Sequence, residues 1–189
     1  MRNKLLATAA ILLSATAAHA APYQDGWFFK PSVGADYQFT ELMDDRAGGR
    51  TQANSFDTDL NGGNLHVGAR VHKNLGLELG YIENLDEKNN GTKIQEHAPY
   101  GDVLGYWPVG DKVDVIGALG VSKYHVLANN SNSTKNSEFS WRGRYGVGAQ
   151  YWLTDHVNLR TIARYEGEDF DSSNSNNSAQ ITAGVNVQF

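Results

Sequence analysis

Four arginines recur at even spacing in two neighbouring parts of the chain, where Arg142 and Arg144 are followed by Arg160 and Arg164. Residues two or four apart share one face of a β-strand, so each pair would point to one side of a sheet. Guanidinium groups enclosed together are destabilising unless carboxylates lie between them. The spacing therefore predicts an ion-pair network, whose other members on polar strand faces are Asp36, Arg70, Glu78 and Glu166.

The pairing of the two arginine-bearing segments depends on the short turn between them. If Tyr151 pairs with Val157, Arg144 faces Arg164 and Arg142 faces Glu166. Like charges would then be opposed, and acids from other strands, Asp36 and Glu78, must neutralise them. Such a network either closes an interior as a satisfied polar plug or acts as the selectivity or gating element of a small pore.

Other residue types that carry out chemistry do not form a recognisable site. The histidines after residue 20 lack a His-x-Ser-Asn arrangement, and no Gly-x-Ser-x-Gly elbow occurs. The acids at 44, 45, 57 and 59 lack the spacing of a calcium loop. Absence of cysteine excludes cysteine-ligated zinc and a disulfide framework. We expect no catalytic site, no metal and no cofactor.

The elements that position the arginines are β-strands, because apolar residues alternate with polar residues or glycine along most of the chain after residue 20. The pattern is clearest at the C-terminus, where residues 179, 181, 183, 185, 187 and 189 are all apolar. The face of the segment 95–107 stays open. If Tyr100, Leu104 and Tyr106 face lipid, Asp102 joins them unless a bulge intervenes, and the opposite phase removes the conflict.

Long and short connections take turns along the chain. Short turns are predicted at 72–74, 108–111 and 154–156, and long polar connections at 41–61, 84–93, 128–137 and 167–178. An antiparallel meander collects the long loops at one end and the short turns at the other. Eight strands of about ten residues with this asymmetry are typical of a transmembrane β-barrel. The predicted fold is an all-β, eight-stranded, antiparallel, up-and-down barrel.

The apolar face should point outward to lipid, since the polar face carries charges in mid-strand and many of the 20 glycines. Aromatic residues gather near strand ends, as in the two girdles of membrane barrels. The predicted girdle comprises Trp27, Tyr106, Trp107, Tyr151 and Trp152. A soluble exported barrel or sandwich with these aromatics in its core is the alternative. The net charge of -5 argues against a nucleic-acid partner.

Residues 1–20 have the features of a secretory signal peptide. Arg2 and Lys4 precede an apolar stretch from Leu5 to Ala18, and Ala18-His19-Ala20 fits a small-x-small cleavage site. An uncleaved anchor helix is the alternative. We expect a signal peptide at 1–20 and a barrel domain at 21–189.

Three segments resemble the transmembrane domain of the outer membrane protein A family. Leu104-Gly105-Tyr106-Trp107-Pro108 with Asp111 is similar to a strand-turn signature of that family, and 148–155 to its sixth-turn region. The terminal Phe189, preceded by Val187 and Val185, resembles the signal read by the barrel-assembly machinery. Because Gln150 stands where the family's interior network implies an acid, the family's gating network does not carry over.

The resemblance implies a monomer in the Gram-negative outer membrane, surrounded by lipid and lipopolysaccharide. The expected role is structural and surface-exposed, in envelope integrity, adhesion or recognition of a host or phage ligand through the long loops. A small porin that passes ions or small solutes is the alternative function.

Overall fold

The computed structural model describes residues 26–44, 59–89, 92–130, 133–169 and 176–189. The predicted signal peptide lies outside these ranges. The described chain forms eight strands. A helix long and apolar enough to cross a membrane is not found among the described residues. The strands are β1 (Trp27–Asp44), β2 (Asp59–His72), β3 (Leu75–Asn89), β4 (Thr92–Pro108), β5 (Val113–Asn130), β6 (Ser133–Trp152), β7 (Val157–Asp169) and β8 (Asn176–Gln188).

The eight strands close into an antiparallel barrel in which each strand pairs with its neighbours in sequence and β1 pairs with β8. Closure removes the unpaired edges that an open sheet would expose, which a membrane barrel requires. The predicted fold class is therefore confirmed.

The strands are longer than the predicted ten residues, from 13 residues in β7 and β8 to 20 in β6. Two of the predicted long connections are largely ladder. The β3–β4 pair continues to Asn89 opposite Thr92, and the β5–β6 pair to Asn130 opposite Ser133. The backbone groups of these two segments therefore pair across the hairpin.

The apolar faces point outward and the polar faces inward. Leu65, Leu79, Leu119 and Val147 are exposed on the outer surface, while their strand neighbours are buried or half-buried. An exposed apolar face is stable in lipid and costly in water. The soluble alternative, with the apolar face inside, is therefore wrong.

The open phase of β4 is resolved by the structure. Tyr100, Asp102, Leu104 and Tyr106 are all buried in the lumen, and the ladder around Asp102 is regular. The opposite phase is therefore correct, and it keeps the Asp102 carboxylate out of the hydrocarbon.

Two members of the predicted girdle, Tyr106 and Trp152, point into the barrel and are only 9% and 1% exposed. Their strand neighbours Trp107 and Tyr151 are 58% and 45% exposed on the outer surface. Successive side chains of a strand point to opposite faces, so adjacent aromatics cannot both face lipid. Trp27, the fifth predicted member, is 77% exposed on the outer surface.

Bulky lumen side chains lie opposite glycines of the neighbouring strand. The register pairs Gly34 with His66, Gly80 with Tyr100, Gly120 with Asp102 and Gly146 with Arg164. A Cβ at each of these glycines would collide with the partner side chain. The inward glycines thus provide the room for large polar groups in a narrow barrel.

Candidate functional site: the charged lumen

The lumen encloses ten buried charged side chains among the described residues, five arginines and five acids, each at most 5% exposed. All eight residues of the predicted network are in this set, which is Asp36, Arg70, Glu78, Asp102, Asp114, Arg142, Arg144, Arg160, Arg164 and Glu166. Asp102 and Asp114 are the members that the sequence prediction lacked. With them, the formal charges of this set cancel.

Glu78 on β3 lies at the centre of the network. Arg160 Nη1 on β7 donates to Glu78 Oε2, and Tyr100 on β4 donates its hydroxyl proton to Glu78 Oε1 at 3.0 Å. Arg164 Nη2 lies 3.7 Å from Glu78 Oε1. One carboxylate thus joins opposite walls of the barrel, since β3 and β7 are not sheet neighbours.

Arg160 also binds the carboxylate of β1. Its Nη2 donates to Asp36 Oδ2 at 3.0 Å, and Asn64 on β2 donates to the same oxygen at 3.4 Å. The His66 ring lies between the two acids, 3.5 Å from Asp36 Oδ2 and 3.9 Å from Glu78 Oε2. The side chains of β1, β2, β3 and β7 therefore form one connected cluster.

Asp102 on β4 neutralises the remaining central arginines. Its Oδ1 lies 3.2 Å from Arg144 Nε, and its Oδ2 lies 3.4 Å from Arg164 Nη2. Arg144 Nη1 lies 3.7 Å from Glu166 Oε1, and the Arg144 guanidinium stacks 4.0 Å from the Tyr100 ring centre. Tyr100 thus connects the Asp102 and Glu78 groups by both its hydroxyl and its ring.

Asp114 on β5 forms a second polar centre toward the short-turn end. Its Oδ2 accepts hydrogen bonds from Arg70 Nη1 at 3.0 Å, Gln150 Nε2 at 2.6 Å and Trp152 Nε1 at 3.0 Å. Gln150 and Asp114 are opposite each other in the β5–β6 register. The acid expected near position 150 is therefore supplied by the neighbouring strand.

The predicted pairing of Tyr151 with Val157 is wrong by two residues. Tyr151 pairs with Leu159, so Arg144 faces Glu166, Arg164 faces Gly146, and Arg142 faces Asp169. The turn at 153–156 is longer than expected because the Thr154 hydroxyl accepts hydrogen bonds from the backbone N–H groups of His156 and Val157. This register places an acid, and not a second arginine, beside Arg144.

The burial of these charges bears on whether the lumen holds a water-filled path. A water-filled channel leaves its lining accessible to water, whereas these ten side chains are almost entirely excluded from it. Buried charges of this kind are stable only when paired and hydrogen-bonded. The network therefore connects strands that are not sheet neighbours, β3 and β4 on one side with β7 on the other.

The predicted assembly residues lie at the junction of β8 and β1. Phe189 is exposed to the outside, and its backbone N–H donates to the Pro31 carbonyl at 2.9 Å. Val185 is exposed, while Val187 is buried opposite Val157 of β7. The C-terminal residue thus takes part in closing the barrel through its backbone.

No group of three or more potential metal ligands is assembled among the described residues. The side chains of the acidic residues at 44, 45, 57 and 59 lie outside the described part. His97 and His125 are register partners on the outer face of β4 and β5, near the long-loop end.

Known proteins that match this chain share the barrel architecture. The family model described as the outer membrane protein beta-barrel domain matches residues 7–189. No curated protein matches the chain.

Among solved structures, Neisserial surface protein A is similar with a TM-score of 0.64 and 17% identity, over 87% of this chain and 100% of that one. Ail, the attachment invasion locus protein of Yersinia pestis, in complex with the heparin analogue sucrose octasulfate, gives 0.61 and 13%, over 85% and 99%. The N-terminal barrel domain of Pseudomonas aeruginosa OprF gives 0.57 and 16%, over 84% and 97%.

Proposed function

The chain belongs to the outer membrane β-barrel domain family and is an outer membrane protein, and from that premise we propose a structural, surface-exposed role in attachment or recognition. The observation that carries this proposal is the buried and neutral lumen network. A barrel whose interior is cross-linked by charged groups serves as a rigid support, and its function then lies on the surface that it presents.

The surface that the barrel presents includes the β3–β4 and β5–β6 hairpins. Both ladders continue toward the long-loop end, beyond the lipid-facing band of the barrel. In β6, Trp141 is an outward-facing aromatic residue at the long-loop end of the lipid-facing band. The β5–β6 ladder continues from there to Ser133, eight residues further. Eight strand residues extend about 27 Å. Ail, which shares the fold, is named for attachment and invasion, and attachment through such hairpins is the role that we propose here.

Adhesion of whole cells tests this role. A Gram-negative host that expresses the full chain should adhere to epithelial monolayers more than the empty host. Removal of 127–136, which shortens the β5–β6 hairpin, should abolish the gain, and removal of 87–94 from the β3–β4 hairpin serves as the matched comparison. Adherence equal to that of the empty host, with the protein folded and surface-exposed, would overturn the proposal.

A small porin is the second candidate, because charged lumen residues favour selective conduction where a path exists. Planar-bilayer recording separates the two functions. We expect the wild-type chain to give no discrete single-channel steps, since the lumen network is buried. Regular steps that appear with the wild-type protein and not with denatured protein would favour the porin.

We further propose that the chain acts as a monomer without catalysis and is assembled by the machinery that reads the terminal Phe189. Mass spectrometry of lipid A after overexpression tests the absence of catalysis, since a new lipid species would reveal an enzyme. Sedimentation in detergent tests the monomer.

A further inference from the structure

Outward-facing basic and aromatic residues form a cluster on β4, β5 and β6 at the long-loop end of the lipid-facing band. His97 is opposite His125, and Lys123 is opposite Trp141, with the Lys123 ammonium 5.5 Å from the Trp141 ring centre. These four side chains, which we call the interface cluster, are half-buried or exposed. On β4 and β5, the cluster residues lie on the same outward-facing side as Val103 and Val121.

The interface cluster lies at the level of the outer-leaflet headgroups. On β4, the outward-facing Trp107 and His97 are ten residues apart. Ten tilted strand residues rise about 25 Å, which is the height of the apolar band of a membrane barrel. Trp107 adjoins the short turn at the periplasmic end, so His97 reaches the opposite interface. Polar and charged side chains on the lipid-facing surface destabilise a barrel little at this interface and much more near the middle of the membrane.

An apolar groove begins below the interface cluster and shares strands β4 and β5 with it, while its other lining residues lie on β1, β2 and β3. It has a volume of about 650 Å³ and is lined by Val67, Leu77, Leu79, Gly101, Val103 and Val121. Gly101 lies four residues from His97 on β4, and Val121 lies two residues from Lys123 on β5. The missing side chain at Gly101 deepens the groove between larger neighbours, and an added Cβ would lie 3.2 Å from Leu79.

We propose that the interface cluster and this groove form a binding site for one outer-leaflet lipid with a phosphate-bearing headgroup. Lys123, His125 and His97 provide cationic and N–H donor groups for the phosphate, and the groove takes an acyl chain. Among the described side chains, Glu83, the register partner of His97 on β3, is an acid beside the cluster, so the phosphate is expected on the β5 side. The site depends on the membrane location and not on the attachment role.

A second groove on the outer surface provides an internal control. It has a volume of about 510 Å³ and includes Ala149, Tyr151, Leu159, Thr161, Ala183 and Val185 in its lining. Tyr145 and Tyr165 lie above it, with ring centres 5.3 Å apart. The described outward-facing side chains above this groove include no lysine, arginine or histidine. This groove can hold a chain and lacks groups that would select a phosphate.

Lipid titration of the folded full chain in detergent, followed by native mass spectrometry, tests the proposal. Diphosphoryl lipid A should bind at least fivefold more tightly than dephosphorylated lipid A. Lys123→Gln with His125→Gln should remove this preference, since one cation near a phosphate-rich surface contributes about fivefold. Glu83→Gln should strengthen it. Equal affinity of the two lipids for the wild-type chain, or an unchanged preference in the double variant, would overturn the proposal.

Groove variants and free phosphate separate this site from general lipid contact. Gly101→Leu should weaken binding of both lipid A forms, while Ala149→Leu in the second groove should leave binding unchanged. Inorganic phosphate at millimolar concentration should not displace the lipid, because the acyl chain contributes. Equal loss in both groove variants, or full displacement by phosphate, would overturn the site. A heat-dependent gel shift verifies that each variant is folded, and the Lys123 and His125 variants leave the groove intact.

Discussion

At the residue scale, Glu78 is the side chain on which the two halves of the central network depend. Its carboxylate contacts Tyr100 on the neighbouring strand β4 and Arg160 and Arg164 on β7 across the lumen. Removing one partner of a buried ion pair costs far more than the pair contributes, because the remaining charge stays buried without compensation. Glu78 is therefore the most informative single position in the lumen.

We expect Glu78→Gln to lower the free energy of unfolding by about 3–5 kcal/mol, because Arg160 keeps only Asp36 and the balanced set of buried charges is left with one uncompensated arginine. Glu78→Ala should act in the same direction and additionally leave a cavity. Urea-induced unfolding in lipid vesicles measures the change. Asp111→Asn in an exposed turn is the control and should shift stability by less than about 0.5 kcal/mol. Unchanged stability and conductance in both Glu78 variants would contradict the network.

Asp114 permits a second measurement with its own reporter. Trp152 is buried in the lumen and donates its indole N–H to Asp114. Asp114→Asn should destabilise the barrel by about 3–5 kcal/mol, since it removes the buried carboxylate that pairs with Arg70. The substitution should also change the fluorescence emission of Trp152. That emission is isolated by subtracting the spectrum of a Trp152→Phe version from the spectrum of each protein. An identical difference spectrum in wild type and Asp114→Asn would contradict the contact.

At the element scale, large lumen side chains fit inside the barrel because each lies opposite a glycine of the neighbouring strand. The Tyr100 ring occupies the space above Gly80, and the His66 ring the space above Gly34. This explains why a lumen with several arginines and tyrosines accommodates them without widening. The glycines are thus part of the network, although they carry no functional group.

Gly80→Ala is expected to destabilise the barrel by about 1–3 kcal/mol, because the new methyl group overlaps the Tyr100 ring. The Tyr100 hydroxyl would then be displaced from Glu78 and Asn64. Gly63→Ala is the matched control, since nothing lies within 4 Å of a Cβ built at that outward-facing position. Thermal unfolding followed by the heat-dependent gel shift compares them. Equal midpoints would argue against close packing at Gly80.

At the scale of the whole molecule, closure joins the first strand to the last. The β1–β8 ladder runs from Ser32 opposite Gln188 to Asp44 opposite Asn176, and the Phe189 N–H extends it to Pro31. The Phe189 ring itself is exposed and contributes little packing. Because the ring contributes little packing, its removal tests the proposed assembly role separately from stability.

Phe189→Ala should reduce the amount of protein assembled in cells several-fold, as measured by the heat-dependent gel shift of outer membrane extracts. The purified variant refolded in detergent should differ from wild type by less than about 0.5 kcal/mol, because an exposed side chain contributes little to stability. Equal assembly of wild type and Phe189→Ala in cells would contradict the proposed signal.

The sequence alone determined the strand number, the membrane-facing side and the membership of Asp36, Arg70, Glu78, Arg142, Arg144, Arg160, Arg164 and Glu166 in the buried set, because alternation is a local property of each strand. Only the tertiary structure decided which of these groups meet. The turn at Thr154 shifts β7 by two residues, which preserves every face and changes every partner. Asp102, Tyr106, Asp114 and Trp152 are also buried inside the barrel. Apolar neighbours or adjacent aromatic residues hid from the sequence pattern which side of the strand each of them faces. Charge balance in the lumen depends on all eight strands at once, and no single segment contains it.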